Sequence, residues 1–133
     1  MDVQPSKSNS STAQKKIVWV EDDRLIATIL SDKLIACGFE LFRFTTGAEA
    51  LKFLQTNKPD ALIVDLILPD MNGFQILEKI AADPNLKNLP RMVLSNLDNV
   101  ADREKSKKLG VDKFLVKAVT PLDKIVDEIN RLF

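Results

Sequence analysis

Histidine is absent from all 133 residues, and no other feature of the chain removes as much chemistry. Its absence excludes imidazole-based zinc sites, Ser-His-Asp and Cys-His nucleophilic catalysis, and a phosphohistidine carried by this chain. A single cysteine, Cys37, excludes an intrachain disulfide and is compatible with a reducing compartment. Glycine is scarce, at 4, while 45% of residues are hydrophobic, so the chain is globular and not low-complexity. An excess of either charge is also lacking. The 19 Lys and Arg balance 19 Asp and Glu, which argues against affinity built on nucleic-acid phosphates or anionic lipid. No run approaches the roughly 18 consecutive apolar residues of a membrane span. Met1-Asp2-Val3-Gln4-Pro5 lacks the basic-then-apolar build of a secretory leader. The expectation is a cytoplasmic protein with no direct nucleic-acid partner and no membrane partner.

The length suits one domain, large enough to bury roughly two-thirds of its unfolded surface without staples. Residues 1–15 predict a disordered tail: Ser6, Ser8, Asn9, Ser10, Ser11, Thr12 and Gln14 bury nothing that offsets the entropy of ordering. The folded unit is expected over 16–133. Four short apolar blocks, Ile17–Val20, Ala61–Val64, Met92–Leu94 and Phe114–Val116, suit strands covered on both faces. Glu40–Phe44 mixes charge into its run, as an edge strand does. Between these blocks lie helical stripes. The first is Ile26, Ile29, Leu30, Leu34 and Cys37, closed by Gly38; then come Ala48, Leu51 and Leu54; then Phe74, Leu77, Ile80 and Ala81. Val100–Leu109 has the thinnest apolar stripe. The last helix is expected to be capped by Thr120 with Pro121 in its first position, its inward residues being Leu122, Ile125, Val126, Ile129 and Leu132. A strand-helix pair repeated five times demands right-handed crossovers and a doubly wound α/β sheet.

In such a sheet the functional crevice lies beyond the carboxyl ends of the strands. The first strand ends in Glu21-Asp22-Asp23, the central one in Asp65, the fourth in Ser95 and the fifth in Lys117. Each has an ordinary explanation alone. Asp22 or Asp23 can cap a helix, Asp65 can open the turn leading to Pro69–Gly73, and a lone lysine is usually solvated. Their convergence on one rim is what those explanations leave out. Close carboxylates raise one another's pKa values unless a cation intervenes. An all-oxygen cluster without His or Cys points to a hard cation, Mg²⁺ before Zn²⁺. A hydroxyl and an ammonium on the same rim suit a phosphoryl group, so the set describes phosphoryl transfer onto aspartate.

These residues also carry a resemblance. Val20-Glu21-Asp22-Asp23, Leu62–Gly73, Leu94-Ser95 and Phe114-Leu115-Val116-Lys117 together resemble the receiver domain of two-component response regulators, over about Lys16 to Phe133. The resemblance implies a flavodoxin-like (βα)5 three-layer sandwich with strand order 2-1-3-4-5. It implies that Asp65 is the phosphoacceptor and that Asp22, Asp65 and the backbone carbonyl of Ile67 ligate Mg²⁺ or Mn²⁺, with Glu21 acting through water. Lys117 is expected to pair with Asp65 and then with the phosphoryl oxygen. Ser95 is expected to swing toward that oxygen on activation, and Phe114 to be the coupled switch aromatic. Asp23 is not expected to be a ligand. The implied donor is a sensor histidine kinase or phosphotransfer protein, and the implied output is control of a protein partner through the surface of the fourth helix, fifth strand and fifth helix. The implied protein is a signalling switch and not a turnover enzyme.

Three departures from the family pattern stand out. Ala118 replaces the proline that usually follows the lysine in a cis bond, so this bond is either trans or strained. Asn96 is bulkier than the small residue common after the hydroxyl, and it narrows access or orients water. Ile67 and Leu97 are apolar at positions that influence dephosphorylation in relatives, which predicts a long-lived phosphoryl adduct. Other classes fit less well. A haloacid-dehalogenase-type phosphatase wants an aspartate where Ile67 stands, and a Toprim-type nuclease wants a paired aspartate on the central strand. A flavodoxin-like cofactor site wants a phosphate loop where three acids stand. A receiver-like module that binds partners without phosphorylation is argued against by the intact residue set.

Overall fold

Continuous apolar character decides which segments enter the sheet. The computed structural model describes residues 14–133. In it Lys16–Val20 forms β1, Glu40–Phe44 β2, Ala61–Val64 β3, Arg91–Ser95 β4 and Lys113–Val116 β5. Every residue of β3 and β4 is buried, whereas β2 is only half-covered, as befits an edge strand. All neighbouring strands pair in parallel, in the order β2-β1-β3-β4-β5. That is the doubly wound flavodoxin-like order 2-1-3-4-5. It brings the ends of β1, β3, β4 and β5 to one rim.

Five α-helices close the two faces: α1 (Arg24–Ala36), α2 (Gly47–Leu54), α3 (Gly73–Ala82), α4 (Val100–Lys108) and α5 (Leu122–Asn130). Alternate strand residues divide the core in two, as period-two side chains must. Val18, Val20, Leu62, Val64 and Val93 pack against α2 and α3 through Ala50, Leu54, Phe74, Leu77 and Ile80. Ile17, Trp19, Ile63, Met92, Leu94 and Leu115 pack against α1 and α5 through Ala27, Leu30, Leu34, Ile125 and Ile129. Each large side chain fully buried there contributes roughly 1.5–3 kcal/mol. No helix among the described residues is long and apolar enough to cross a membrane.

Residues 1–13 of the expected tail lie outside the described residues; Gln14 and Lys15 are exposed, and Gln14 Nε2 donates to the Gly38 carbonyl at 3.1 Å. Several helix expectations need correction. In α1 the sheet-facing residues are Ala27, Leu30 and Leu34, while Ile29 is 41% exposed and Cys37 is exposed. With Ala27 facing the sheet, Ile29 two residues on falls on the outward side of the helix. Ala48 and Ala81 are likewise exposed, and Ala50 and Ile76 take the inward positions instead. Thr120 does not cap α5. Its hydroxyl donates to the Val116 carbonyl at 2.6 Å, and Pro121 occupies the N-cap without a side-chain bond. Gly38 does end α1 as expected, with φ at 96°.

Candidate functional site

The first strand's ladder runs one residue past β1. The Glu21 amide donates to the Phe44 carbonyl at 2.9 Å, which holds the Glu21 side chain inside the rim with no solvent exposure. Beyond it the chain turns out. Asp22 is exposed, and Asp23 serves as the N-cap of α1, accepting from the amides of Leu25 and Ile26. Asp65 follows β3 and is buried. The chain must turn sharply after it, and Gly73 makes room for the return. A Cβ at Gly73 would lie 2.3 Å from the Asp65 carbonyl oxygen, so only glycine fits. Asn72 then opens α3 with a reciprocal capping box to Gln75. In the same loop Asp70 accepts from the amides of Gly47 and Ala48, both at 2.9 Å, and pins the start of α2 beside the site.

Three donors converge on the Asp65 carboxylate. Oδ1 accepts from the Ser95 hydroxyl at 2.7 Å and from the Ile67 amide at 3.0 Å; Oδ2 accepts from Lys117 Nζ at 2.8 Å. Lys117 Nζ also donates to both Glu21 oxygens at 3.0 Å. The ammonium therefore bridges the two buried carboxylates. Burial pushes the Glu21 carboxyl up to about 7, against the pull of Lys117 and of the Asp23 amide. Burial also opposes the Lys117 charge, but bonds to Asp65 and Glu21 outweigh it and hold the ammonium above the ordinary lysine range. Glu21, Asp22 and Asp65 each present an oxygen within 4.8 Å of the others.

The structure thus brings together Glu21, Asp22, Asp65, Ser95, Lys117 and the backbone of Ile67. The Ser95 hydroxyl faces into the site, on Asp65 Oδ1. Glu21 is bonded to Lys117 directly. Phe114 stands apart, half-buried near the β4–α4 side, with the Arg103 guanidinium 4.7 Å above its ring. Arg103 is in turn paired with Asp98 at 2.8 Å. The bond before Ala118 is trans, since the described residues contain no cis peptide. Three contacts went unforeseen: the Asp70 anchor, the Arg43 Nε bond to the Glu21 carbonyl at 3.1 Å, and the 2.8 Å bond from the Ala118 amide to Asn96 Oδ1. The last had a visible signal, because an alanine in place of proline restores a backbone donor.

The chain matches the response regulator receiver domain family over residues 17–130. It is 30% identical over 107 residues to the alkaline phosphatase synthesis transcriptional regulatory protein PhoP of Bacillus subtilis (strain 168), covering 80% of this chain and 44% of that protein. It spans less than half the length of the curated relatives it matches. The receiver domain of HemR from Leptospira biflexa, not phosphorylated, superposes with a TM-score of 0.82 at 28% identity, over 90% of this chain and 94% of that one. The manganese-bound form of response regulator Rcp1 superposes with a TM-score of 0.79 at 29% identity, over 87% and 91%.

Proposed function

Because the chain belongs to the response regulator receiver domain family, we propose that it is a phosphorylation switch in which Asp65 accepts a phosphoryl group from a phosphohistidine donor. The observation that carries this reading is the pair of donors on one carboxylate, Ser95 at Oδ1 and Lys117 at Oδ2, beside two further acids. An Asp65 oxygen attacks phosphorus, the bond from phosphorus to the donor nitrogen breaks, and the electron pair leaves with the imidazole, which takes a proton. Lys117 and Ser95 then turn their hydrogens to phosphoryl oxygens as charge moves from the carboxylate onto the transferred group. Hydrolysis of the acyl phosphate by water returns the carboxylate and inorganic phosphate.

The donor set fits a divalent cation. Glu21, Asp22 and Asp65 supply three carboxylates and no softer ligand, and one ammonium leaves their charge only partly balanced. Asp22, Asp65 and the Ile67 carbonyl would hold it, with Glu21 acting through water. Mg²⁺ or Mn²⁺ bound there would supply charge neutralisation for an anion entering an acidic pocket. The manganese-bound relative supports that assignment. The donor is a sensor histidine kinase or phosphotransfer protein, and the output is a protein contact at the α4–β5–α5 surface, coupled through Phe114. The module sheds its own phosphoryl group and turns over no other substrate.

Intact mass after incubation with acetyl phosphate and Mg²⁺ tests the assignment. The wild-type chain gains one phosphoryl unit, chelation abolishes the gain, and Asp65→Ala shows none. An undiminished adduct on Asp65→Ala would move the acceptor elsewhere.

A further inference from the structure

Ser95, at the end of β4, and Lys117, the residue after β5, hold the two oxygens of Asp65. The ladder between β4 and β5 ends at the pair Ser95 and Val116, so Asn96, Lys117 and Ala118 lie beyond it. The residues that follow Ser95 and Lys117 are bonded to each other. The Ala118 amide donates to Asn96 Oδ1 at 2.8 Å. On the far side the same turn is closed by the Thr120 hydroxyl on the Val116 carbonyl. We propose that Asn96 is a positioning residue whose bond to the Ala118 amide sets the spacing of the Ser95 hydroxyl and the Lys117 ammonium, and so the rate at which Asp65 is phosphorylated.

Leverage makes this bond matter. Asn96 and Ala118 are each one residue from a group that touches Asp65, so a shift of either loop carries over to the reacting oxygens almost undamped. Positioning errors of that size are costly in rate. The clasp exists only because both residues are as they are. A proline at 118 has no amide hydrogen to give, and a glycine or alanine at 96 has no side-chain acceptor to offer. The two departures at 96 and 118 are therefore one feature.

The proposal rests on Asp65 being the phosphoacceptor, and the test separates the two. Phosphorylation rates from acetyl phosphate with Mg²⁺ are compared for the wild type, Asn96→Ala, Ala118→Pro and the double variant, with exchange of the Ala118 amide followed in the wild type and Asn96→Ala. Each single variant is expected to be slower by about fivefold, the factor carried by one ordinary hydrogen bond. The double variant is expected to be no slower than the worse single, because both substitutions remove the same bond. The Ala118 amide is expected to exchange faster in Asn96→Ala, an exposed-site change that leaves the core intact. A wild type that takes no phosphoryl group overturns both readings. Equal rates in wild type and Asn96→Ala, an unaltered Ala118 amide, or independent multiplicative losses overturn the clasp alone.

Discussion

A carboxyl group with no exposure to solvent, such as Glu21, ionises at a cost that Lys117 only partly offsets. The group titrates near 4.5 in the unfolded chain and at about 7 in the folded one, so folding favours its protonated form. That contribution is complete below 4.5 and is lost as pH rises through about 7. Asp70, held low by the Gly47 and Ala48 amides, loses its contribution only as pH falls below 3.8, and Lys117 loses its own only above 10.5, so neither confuses the window. The metal-free protein is expected to be less stable to urea at about pH 8 than at about pH 5.5, and Glu21→Gln to flatten that slope. Parallel pH profiles for the two proteins would refute the assignment. A divalent cation held here as proposed would compete with the proton for this pocket, so its stabilisation should grow with pH. At about 10 mM Mg²⁺ and a dissociation constant of about 1 mM the gain is about 1.4 kcal/mol. Arg91 was invisible in the sequence, because a basic residue opening a strand reads as a solvated charge. It is 2% exposed, and its guanidinium donates to the carbonyls of Leu86, Lys87, Leu89 and Leu109. Arg91→Met should cost about 3 kcal/mol in urea unfolding, since it strands those acceptors. A loss below about 1 kcal/mol would show that they find other partners.

At the scale of elements, β2 and β3 were legible to the residue and the other strands to within one residue at either end, because apolar runs bounded by polar turns admit few alternatives. Helix faces were less legible. Counting only large side chains put Ile29 inward and left Ala27 out, although close approach to a sheet favours the small residue. The site acids, Ser95 and Lys117 were legible because topology places strand ends together. The contacts made by Asp70 and Asn96 were not, since they depend on loop paths that no periodicity encodes. Asp70→Ala should speed exchange of the Gly47 and Ala48 amides while leaving α3, capped by its own Asn72, unchanged. Equal acceleration in both helices would mean the loop itself had melted. Helix α4 buries only Ser106. Its other attachments include Lys105 over the Phe74 ring at 4.5 Å, Lys105 near Glu78 at 3.8 Å, Arg103 over Phe114, and Arg103 with Asp98. With so little apolar surface removed from water, α4 should exchange its amides fastest of the five helices, and more so at high salt. Protection equal to that of α3 would contradict this.

For the molecule as a whole, the question is where a phosphoryl group at Asp65 sends its effect. The Ser95 hydroxyl lies 2.7 Å from Oδ1, so a phosphoryl group on that oxygen would have to share its space with Ser95. Phosphorylation at Asp65, as proposed, would therefore act on the β4–α4 loop through Ser95. That loop carries Asp98, which holds Arg103, which covers Phe114. The layers on either side resist movement: α1 and α5 bury Leu30, Leu34, Ile125 and Ile129 completely, and α3 buries Ile76, Leu77 and Ile80. Only α4 lacks such anchors, so the displacement runs along α4 and β5, and only as far as the phosphoryl group binds the two arrangements unequally. Hydrogen exchange with and without beryllofluoride, a mimic of the phosphoryl group, should show altered protection across residues 95–117. The buried strands β1 and β3 and the inward face of α1 should stay unchanged. Arg103→Gln, which removes both the ion pair and the ring contact, should weaken the response at Phe114 while preserving it at Ser95. Changes confined to the loops around Asp22 and Asp65, or a response at Phe114 undiminished in Arg103→Gln, would break this route at a named link.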